Sequence, residues 1–357
     1  MPSIIQKNVP DGTRDLIFEE ATAQWELEKE LLQRYARLGF RPICTPTLEY
    51  CNVFDHDRQC IPQEDIYQFT DRSGRLVALR PDNTSPIARV ASSKLRGADL
   101  PLKICYSQNV YRAGDAYHAR RSEILQSGVE ILGGETQAED LCCLFTALQA
   151  MAACGGDYKI EIGHASFFET LLFDEELSEE ERSDLKNYIA AKNSSGFSFS
   201  LNAVASKAVE LAAVLPRLCG STDVLPRAKK LAAGNERALA LLSYLESIYQ
   251  AFSDAGFGDR IIIDLGIVQN IDYYTGLIFK GYLEGVGEEV LSGGRYDNLL
   301  KSFGYPLPAC GFALNLSAAA KTRKAAAAPP PFLVDFKAGS QDIRRAAEYL
   351  KNTGRSL

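Results

Sequence analysis

Five extended stretches fall between residues 41 and 132, and they are joined mostly by turns rather than by crossover helices. RPICTPTLEY is the first, its prolines favouring a sheet edge or a strand end. IYQFT and RLVALR flank Asp71-Arg72-Ser73-Gly74, a hairpin signal. Residues 103–111 and 123–132 read as two further strands, with the polar loop RAGDAYHARRS between them. A doubly wound parallel sheet needs a helix between consecutive strands, so the predicted class is α+β, an antiparallel sheet flanked by helices.

Helices are predicted on both sides of this block. Residues 17–38 place Leu31, Tyr35 and Leu38 on one face and stop at Gly39. Residues 136–153 form an apolar-rich helix, and Tyr158–Ile162 a short strand. From about 165 to 255 the pattern is a mostly helical insertion. Ser178 with Glu179–Glu181 resembles a capping box, and Pro216, Gly220, Pro226 and Gly234 read as breaks. Strand character returns in RIIIDL, YYTGLIFKGY and ACGFAL. The expected organisation is one domain over 1–323, a linker in the run KAAAAPPP (324–331) and a short strand-helix segment over 332–357. That last segment holds FLVDF and a helix around Ile343, Ala347 and Leu350, too little for its own core.

Composition excludes several function classes. The 39 basic and 46 acidic residues give a charge of -7, which supplies no broad field for a phosphate backbone. No run of apolar residues is long enough to span a bilayer. The stretch MPSIIQKNVPDGTRD turns polar too soon for a secretory signal, so a cytoplasmic location is expected. The 9 cysteines form no CxxC pair, and with only His56, His118 and His164 a zinc site is poorly supported. Buried, reduced thiols are expected, Cys142 and Cys143 in the core, with no metal and no cofactor. The P-loop, the dinucleotide glycine fingerprint and the GxSxG elbow are all missing from the sequence.

Three segments combine polar side chains with tight glycines. In Leu79-Arg80-Pro81-Asp82-Asn83-Thr84-Ser85-Pro86, an extended backbone puts Asp82 and Thr84 on one face, where they could hold an ammonium group. The same residues fit a strand-to-helix junction capped by Asn83 or Thr84. In Leu125–Ile131, Gln126 and Glu130 share a strand face, with Gly128 leaving open space between them. That pattern suits the floor of a small-ligand site, or a solvated sheet face. The third segment pairs Asp272-Tyr273-Tyr274-Thr275-Gly276 with Leu291-Ser292-Gly293-Gly294-Arg295-Tyr296-Asp297. Adjacent tyrosines in a strand put one ring on each side, and paired glycines permit close backbone approach. Tyrosine walls suit a small cationic or aromatic metabolite, and equally suit core packing.

Taken in order, these segments resemble the catalytic domain of histidyl-tRNA synthetase, a class II aminoacyl-tRNA synthetase fold. PDGTRD is similar to that family's opening, LRPDNTSPIAR with SQNVYR through LQSGVEILGG to its second class motif, and CGFALNL to its third. IDYYTGLIF and LSGGRYDNLL resemble its two histidine-recognition segments, and the likeness runs over about residues 8–320. It implies an antiparallel sheet flanked by helices and dimerisation through the opening region. By position, Asp82 and Thr84 would contact the amino group of histidine, and Gln126 would lie near its carboxylate. Glu130 and Tyr274 would meet the imidazole, with Tyr273 and Tyr296 close by. Arg112 keeps the arginine of the second motif.

Departures from the family pattern bear on the chemistry. Gln269 stands where the synthetases carry an arginine for carboxylate activation, leaving only a neutral donor. Ser317 and Ala318 replace the glutamate and arginine that end the third motif, and Ala113-Gly114-Asp115-Ala116 lacks a charged pair. Adenylate formation develops charge on the α-phosphate, and losing one preorganised contact of that kind costs about 10²–10³ in rate. The resemblance therefore implies a pocket that binds histidine without activating it. One paralogue group shares these features: the regulatory subunits of ATP phosphoribosyltransferase. They assemble with a short catalytic subunit, four chains of each kind in a hetero-octamer, under feedback by histidine. A ligase forming histidyl-adenylate and a tRNA-sensing module are the alternatives; a tRNA or membrane partner is not expected.

Overall fold

The computed structural model describes residues 7–54, 61–113, 121–134, 136–172, 178–191, 214–267 and 274–323, and the single positions 344, 347 and 348. The chain divides into two compact units, Met1–Arg323 and Lys324–Leu357. The linker run and most of the segment over 332–357 fall outside the described residues. Only Arg344, Ala347 and Glu348 of the second unit are described, all helical.

In the first unit, helix α1 (Phe18–Arg37) buries Leu27, Leu31 and Tyr35 completely. It stops where Gly39 adopts φ +85°, with its N–H bonded back to the Ala36 carbonyl. The strands that follow are β1 (Arg41–Pro42), β2 (Leu48–Tyr50), β3 (Gln68–Thr70), β4 (Leu76–Leu79), β5 (Leu102–Tyr111) and β6 (Glu123–Leu132). Helix α2 (Thr84–Ser93) separates β4 from β5. Next come α3 (Thr136–Cys154), β7 (Tyr158–His164), α4 (Phe167–Leu171), α5 (Glu179–Ala191), β8 (Cys219–Gly220), α6 (Val224–Leu231) and α7 (Glu236–Asp254). Strands β9 (Ile261–Asp264), β10 (Leu277–Leu283), β11 (Glu289–Arg295) and β12 (Ala309–Asn315) complete the set.

Nine strands make one sheet in the order β1-β5-β6-β12-β11-β10-β7-β9-β8. It is antiparallel except for the β1–β5 and β7–β9 pairs, which are parallel. The helical insertion is the long crossover that the parallel β7–β9 pairing requires. It also supplies the edge strand β8, so it belongs to the sheet rather than standing beside it. The hairpin over Asp71–Gly74 forms, with Asp71 Oδ1 accepting the Ser73 and Arg75 N–H groups at 2.8 and 2.9 Å. It lies in a separate small sheet, β2-β4-β3, and not in the large one. Ser178 and Glu181 exchange the two bonds of a capping box at 2.8 and 3.2 Å. Pro226 breaks nothing: it sits in the first turn of α6, where a missing N–H leaves no helical bond unmade.

The two faces of the large sheet are covered unequally. On one, α1, α3 and α7 pack over Val129, Ile131, Ile160, Ile162, Phe279 and Phe312 in the main core. On the other, α2 and the short turn Leu299–Ser302 cover only a smaller cluster around Ile104, Leu132 and Tyr296. The strip left between these two elements is the pocket described below. Cys105, Cys143, Cys154 and Cys310 are buried free thiols. Cys44 and Cys219 are exposed, against expectation, because Cys44 follows the edge strand β1 and Cys219 lies in the edge strand β8. Cys60 falls outside the described residues. No described helix is long and apolar enough to cross a membrane.

Candidate functional site

The pocket floor is three strands in strict register. Glu130 of β6 faces Gly311 of β12, which faces Gly294 of β11. The next row is Gly128, Ala313 and Ser292. With period 2, Gln126, Gly128 and Glu130 point to the pocket while Val129 and Ile131 point to the core. The two outer glycines make room for side chains lying flat on the sheet. A Cβ on Gly311 would sit 1.8 Å from Glu130 Oε2, and one on Gly294 would sit 2.9 Å from the Tyr274 ring. Gly128 does not leave the open space the sequence implied. Its cross-strand partner Tyr106 fills it, and a Cβ there would come within 2.6 Å of the Tyr106 hydroxyl.

The wall comes from the start of α2. Thr84 opens the helix, so the 79–86 segment is the strand-to-helix junction and not an extended run. The capping side chain is neither Asn83 nor Thr84 but Asp82, whose Oδ1 accepts the Ser85 N–H at 2.7 Å and whose Oδ2 accepts the Ser85 hydroxyl at 3.2 Å. Thr84 is thereby turned inward, and its hydroxyl donates to Glu130 Oε1 at 2.8 Å. Below it, Asn83 donates to Gln126 Oε1 at 3.3 Å and accepts from Gln108 at 3.3 Å. Arg112 is anchored by its Nε to the Pro81 carbonyl at 3.2 Å. Tyr274 precedes β10 instead of standing in it, and its neighbour Tyr273 is not among the described residues. Tyr296 is buried and donates its hydroxyl to Glu130 Oε2.

Asp82, Thr84, Arg112, Gln126, Glu130, Tyr274 and Tyr296 all line one cavity of about 120 Å³. Gln269 and Tyr273 lie outside the described residues. The lining also includes Asn83, Ser85, Tyr106, Ser292, Gly311 and Ala313, which the sequence reading did not single out. Two of these were within reach. Pairing 103–111 against 123–132 places Tyr106 opposite Gly128, and Ser292 shares a face with Gly294.

Burial dominates the electrostatics of Glu130. It pushes the carboxyl up to about 8, against the Tyr296 and Thr84 hydroxyls, which favour the charged form. The neighbouring Asp82 raises it further. At neutral pH this carboxyl is mostly protonated, and a cationic ligand would favour its ionised form. Elsewhere, Glu161, Cys219 and Asp264 bring ligand-capable atoms within 4.8 Å of one another. None of the three lines the pocket, and Asp264 already accepts the Gly266 N–H at 2.9 Å.

The third-motif departures have structural uses. Ala318 is 1% exposed, and its N–H donates to the Asn315 side chain at 3.0 Å in a helix cap. The Ser317 hydroxyl accepts the Leu125 N–H at 3.2 Å. Ser317 thus ties β6 to the end of β12, Ala318 closes the cap that follows β12, and neither side chain carries a charge.

The histidyl-tRNA synthetase family model matches residues 12–319. An ATP phosphoribosyltransferase regulatory subunit from Clostridium botulinum is 42% identical over 315 residues, covering 87% of this chain and 74% of the relative. The chain belongs to the ATP phosphoribosyltransferase regulatory subunit family. The regulatory subunit from Clostridium acetobutylicum is 41% identical over 317 residues, covering 87% of this chain and 78% of the relative. Among solved structures, a regulatory subunit/histidyl-tRNA synthetase from Bacillus halodurans C matches with TM-score 0.80 at 28% identity, covering 90% of this chain and 84% of that one. Histidyl-tRNA synthetase from Nostoc sp. PCC 7120 shares the fold, with TM-score 0.74 at 21% identity over 98% of this chain and 85% of that one. This regulatory-subunit family member thus has a class II synthetase-like fold.

Proposed function

We propose that this chain is a non-catalytic regulatory subunit of ATP phosphoribosyltransferase and that the pocket around Glu130 is its histidine sensor. Its partner is a short-form catalytic subunit, which joins ATP to phosphoribosyl pyrophosphate in the first step of histidine biosynthesis. The observation that carries the reading is a buried carboxyl, held by two hydroxyls, on the floor of a small polar pocket. Glu130 and Tyr274 would take the imidazole, Asp82 and Thr84 the amino group, and Gln126 the carboxylate side. Arg112, Gln269, Tyr273 and Tyr296 complete the set.

Regulation follows if bound histidine favours one state of the complex by about 1–3 kcal/mol; equal affinity for both states would shift nothing. The same reading takes residues 1–323 as the synthetase-like body, 324–331 as a linker and 332–357 as a remnant segment, in a cytoplasmic protein that does not bind tRNA. It also implies a dimer within a hetero-octamer. The exposed Leu48, Tyr50 and Phe69 share one face of the small sheet and support self-association, since clustered apolar side chains on a sheet face mark an interface.

Equilibrium dialysis with L-histidine tests the sensor. Saturable binding that Glu130→Ala weakens supports it. Binding that Glu130→Ala leaves unchanged would place the effector elsewhere.

A further inference from the structure

The two pocket tyrosines are held from behind by a polar chain that reaches into the helical insertion. Tyr274 is followed by Thr275, and Tyr296 stands between Arg295 and Asp297. The Thr275 N–H donates to the Arg295 carbonyl at 2.8 Å, and the Thr275 hydroxyl donates to Asp297 Oδ2 at 3.0 Å. The Arg295 side chain crosses Gly276, where a Cβ would lie 2.9 Å from Cδ, so this position admits only glycine. The guanidinium then divides between two carboxylates, reaching Asp297 Oδ1 at 3.0 Å and Asp140 Oδ1 at 2.7 Å. The side chains of Arg295 and Asp140 are 4% and 2% exposed. The other Asp140 oxygen, Oδ2, accepts Arg295 Nε at 3.1 Å and also the hydroxyl of Tyr244, which is carried by α7 of the insertion. The Tyr244 ring stands edge-on to His164 at the end of β7, with centroids 6.2 Å apart.

We propose that Tyr244 is a positioning residue for the pocket, acting through Asp140, Arg295, Asp297 and Thr275 on Tyr274 and Tyr296. This rests on the reading that the pocket binds histidine. The physical basis is the geometry of one carboxylate. Arg295 already holds Asp140 on both oxygens, and the Tyr244 hydroxyl is the further bond that ties this pair to α7. Without that hydroxyl the Asp140–Arg295 pair keeps its own contacts but loses its anchor on α7, and the two segments it ties together can shift with it. Networks of this kind act as units, so deleting a member loosens the others. The insertion then has a purpose beyond closing the β7–β9 crossover: it sets the precision of a site to which, among the described residues, it contributes no lining side chain.

The experiment is calorimetric titration of the full chain with L-histidine, comparing wild type, Tyr244→Phe, Thr275→Val and the double variant. Phenylalanine keeps the ring against His164 and removes only the hydroxyl. Each single variant is expected to bind about tenfold more weakly, the scale of one hydrogen bond to a charged group. The double variant is expected to fall well short of the product of the two losses, because both act through one chain. Ile248→Val, a mild packing loss at a fully buried position of the same helix, is the control and is expected to leave affinity within about twofold. Unchanged affinity in Tyr244→Phe would overturn the proposal, as would losses that multiply or an equal loss in Ile248→Val. If the wild type itself does not bind L-histidine, the sensor reading fails first and the positioning role falls with it.

Discussion

Glu130 and Asp140 are each 1% exposed, yet their surroundings differ. Asp140 meets the Arg295 guanidinium with two nitrogens, at 2.7 and 2.9 Å, and Asp297 shares the positive charge. Among the described residues, Glu130 receives only the hydroxyls of Thr84 and Tyr296, and the carboxylate beside it, Asp82, works against its ionisation. A buried carboxylate with its cation is structural. A buried carboxyl without one keeps a proton and offers its charge to whatever cation enters. The regulatory-subunit fold places one of each on neighbouring segments, and the contrast separates the scaffold from the proposed sensor.

Removing the cation from the first centre should do the most damage. Arg295→Met leaves Asp140 buried and unpaired, and a urea melt at pH 7 should show a loss of about 3–5 kcal/mol. A loss under about 1 kcal/mol would mean that the ion pair adds nothing structural. Next is Gly311→Ala, whose methyl would overlap both Glu130 Oε2 and the Val129 carbonyl oxygen. It should cost about 1–3 kcal/mol of stability and weaken histidine binding, because the carboxyl must move. Smaller in free energy are Glu130→Ala and Tyr274→Ala. Each should raise the histidine concentration needed for inhibition roughly tenfold, about 1.4 kcal/mol, while sedimentation shows the complex intact.

The finest test uses pH. The Glu130 carboxyl sits at about 8 in the fold against an ordinary 4.5. Its folded value is raised, so its contribution to stability is fully present below about pH 4.5 and is lost as pH rises through about 8. The slope from this group approaches at most about 1.4 kcal/mol per pH unit. Glu130→Gln should flatten the stability profile across that window. An identical profile in wild type and variant would mean that the carboxyl titrates normally.

Much of the pocket could be read from alternation alone. Gln126 and Glu130 share a face because strands have period 2, and the paired glycines at 293 and 294 marked a place of close approach. What could not be read depended on distant partners. Nothing near Gly128 announces that Tyr106 fills its space until the β5–β6 register is known. Arg295 looked like part of a recognition segment, and only the packing of α3 against the sheet shows that Asp140 claims it. Asp82 read as a binding group from its neighbours, whereas the helix start beside it makes it a cap as well. The parallel β7–β9 pair escaped notice because a long helical crossover looks like an insertion.

On the proposed function, this chain regulates a partner and performs no synthetase chemistry. The most direct measurement is phosphoribosyl-ATP formation by the short catalytic subunit from the same organism, with and without this chain, then with added histidine. A rate that rises with this chain and falls again with histidine is the expected result. No change in rate on adding this chain, together with histidine-dependent pyrophosphate exchange by the chain alone, would contradict the claim and return the pocket to adenylate chemistry.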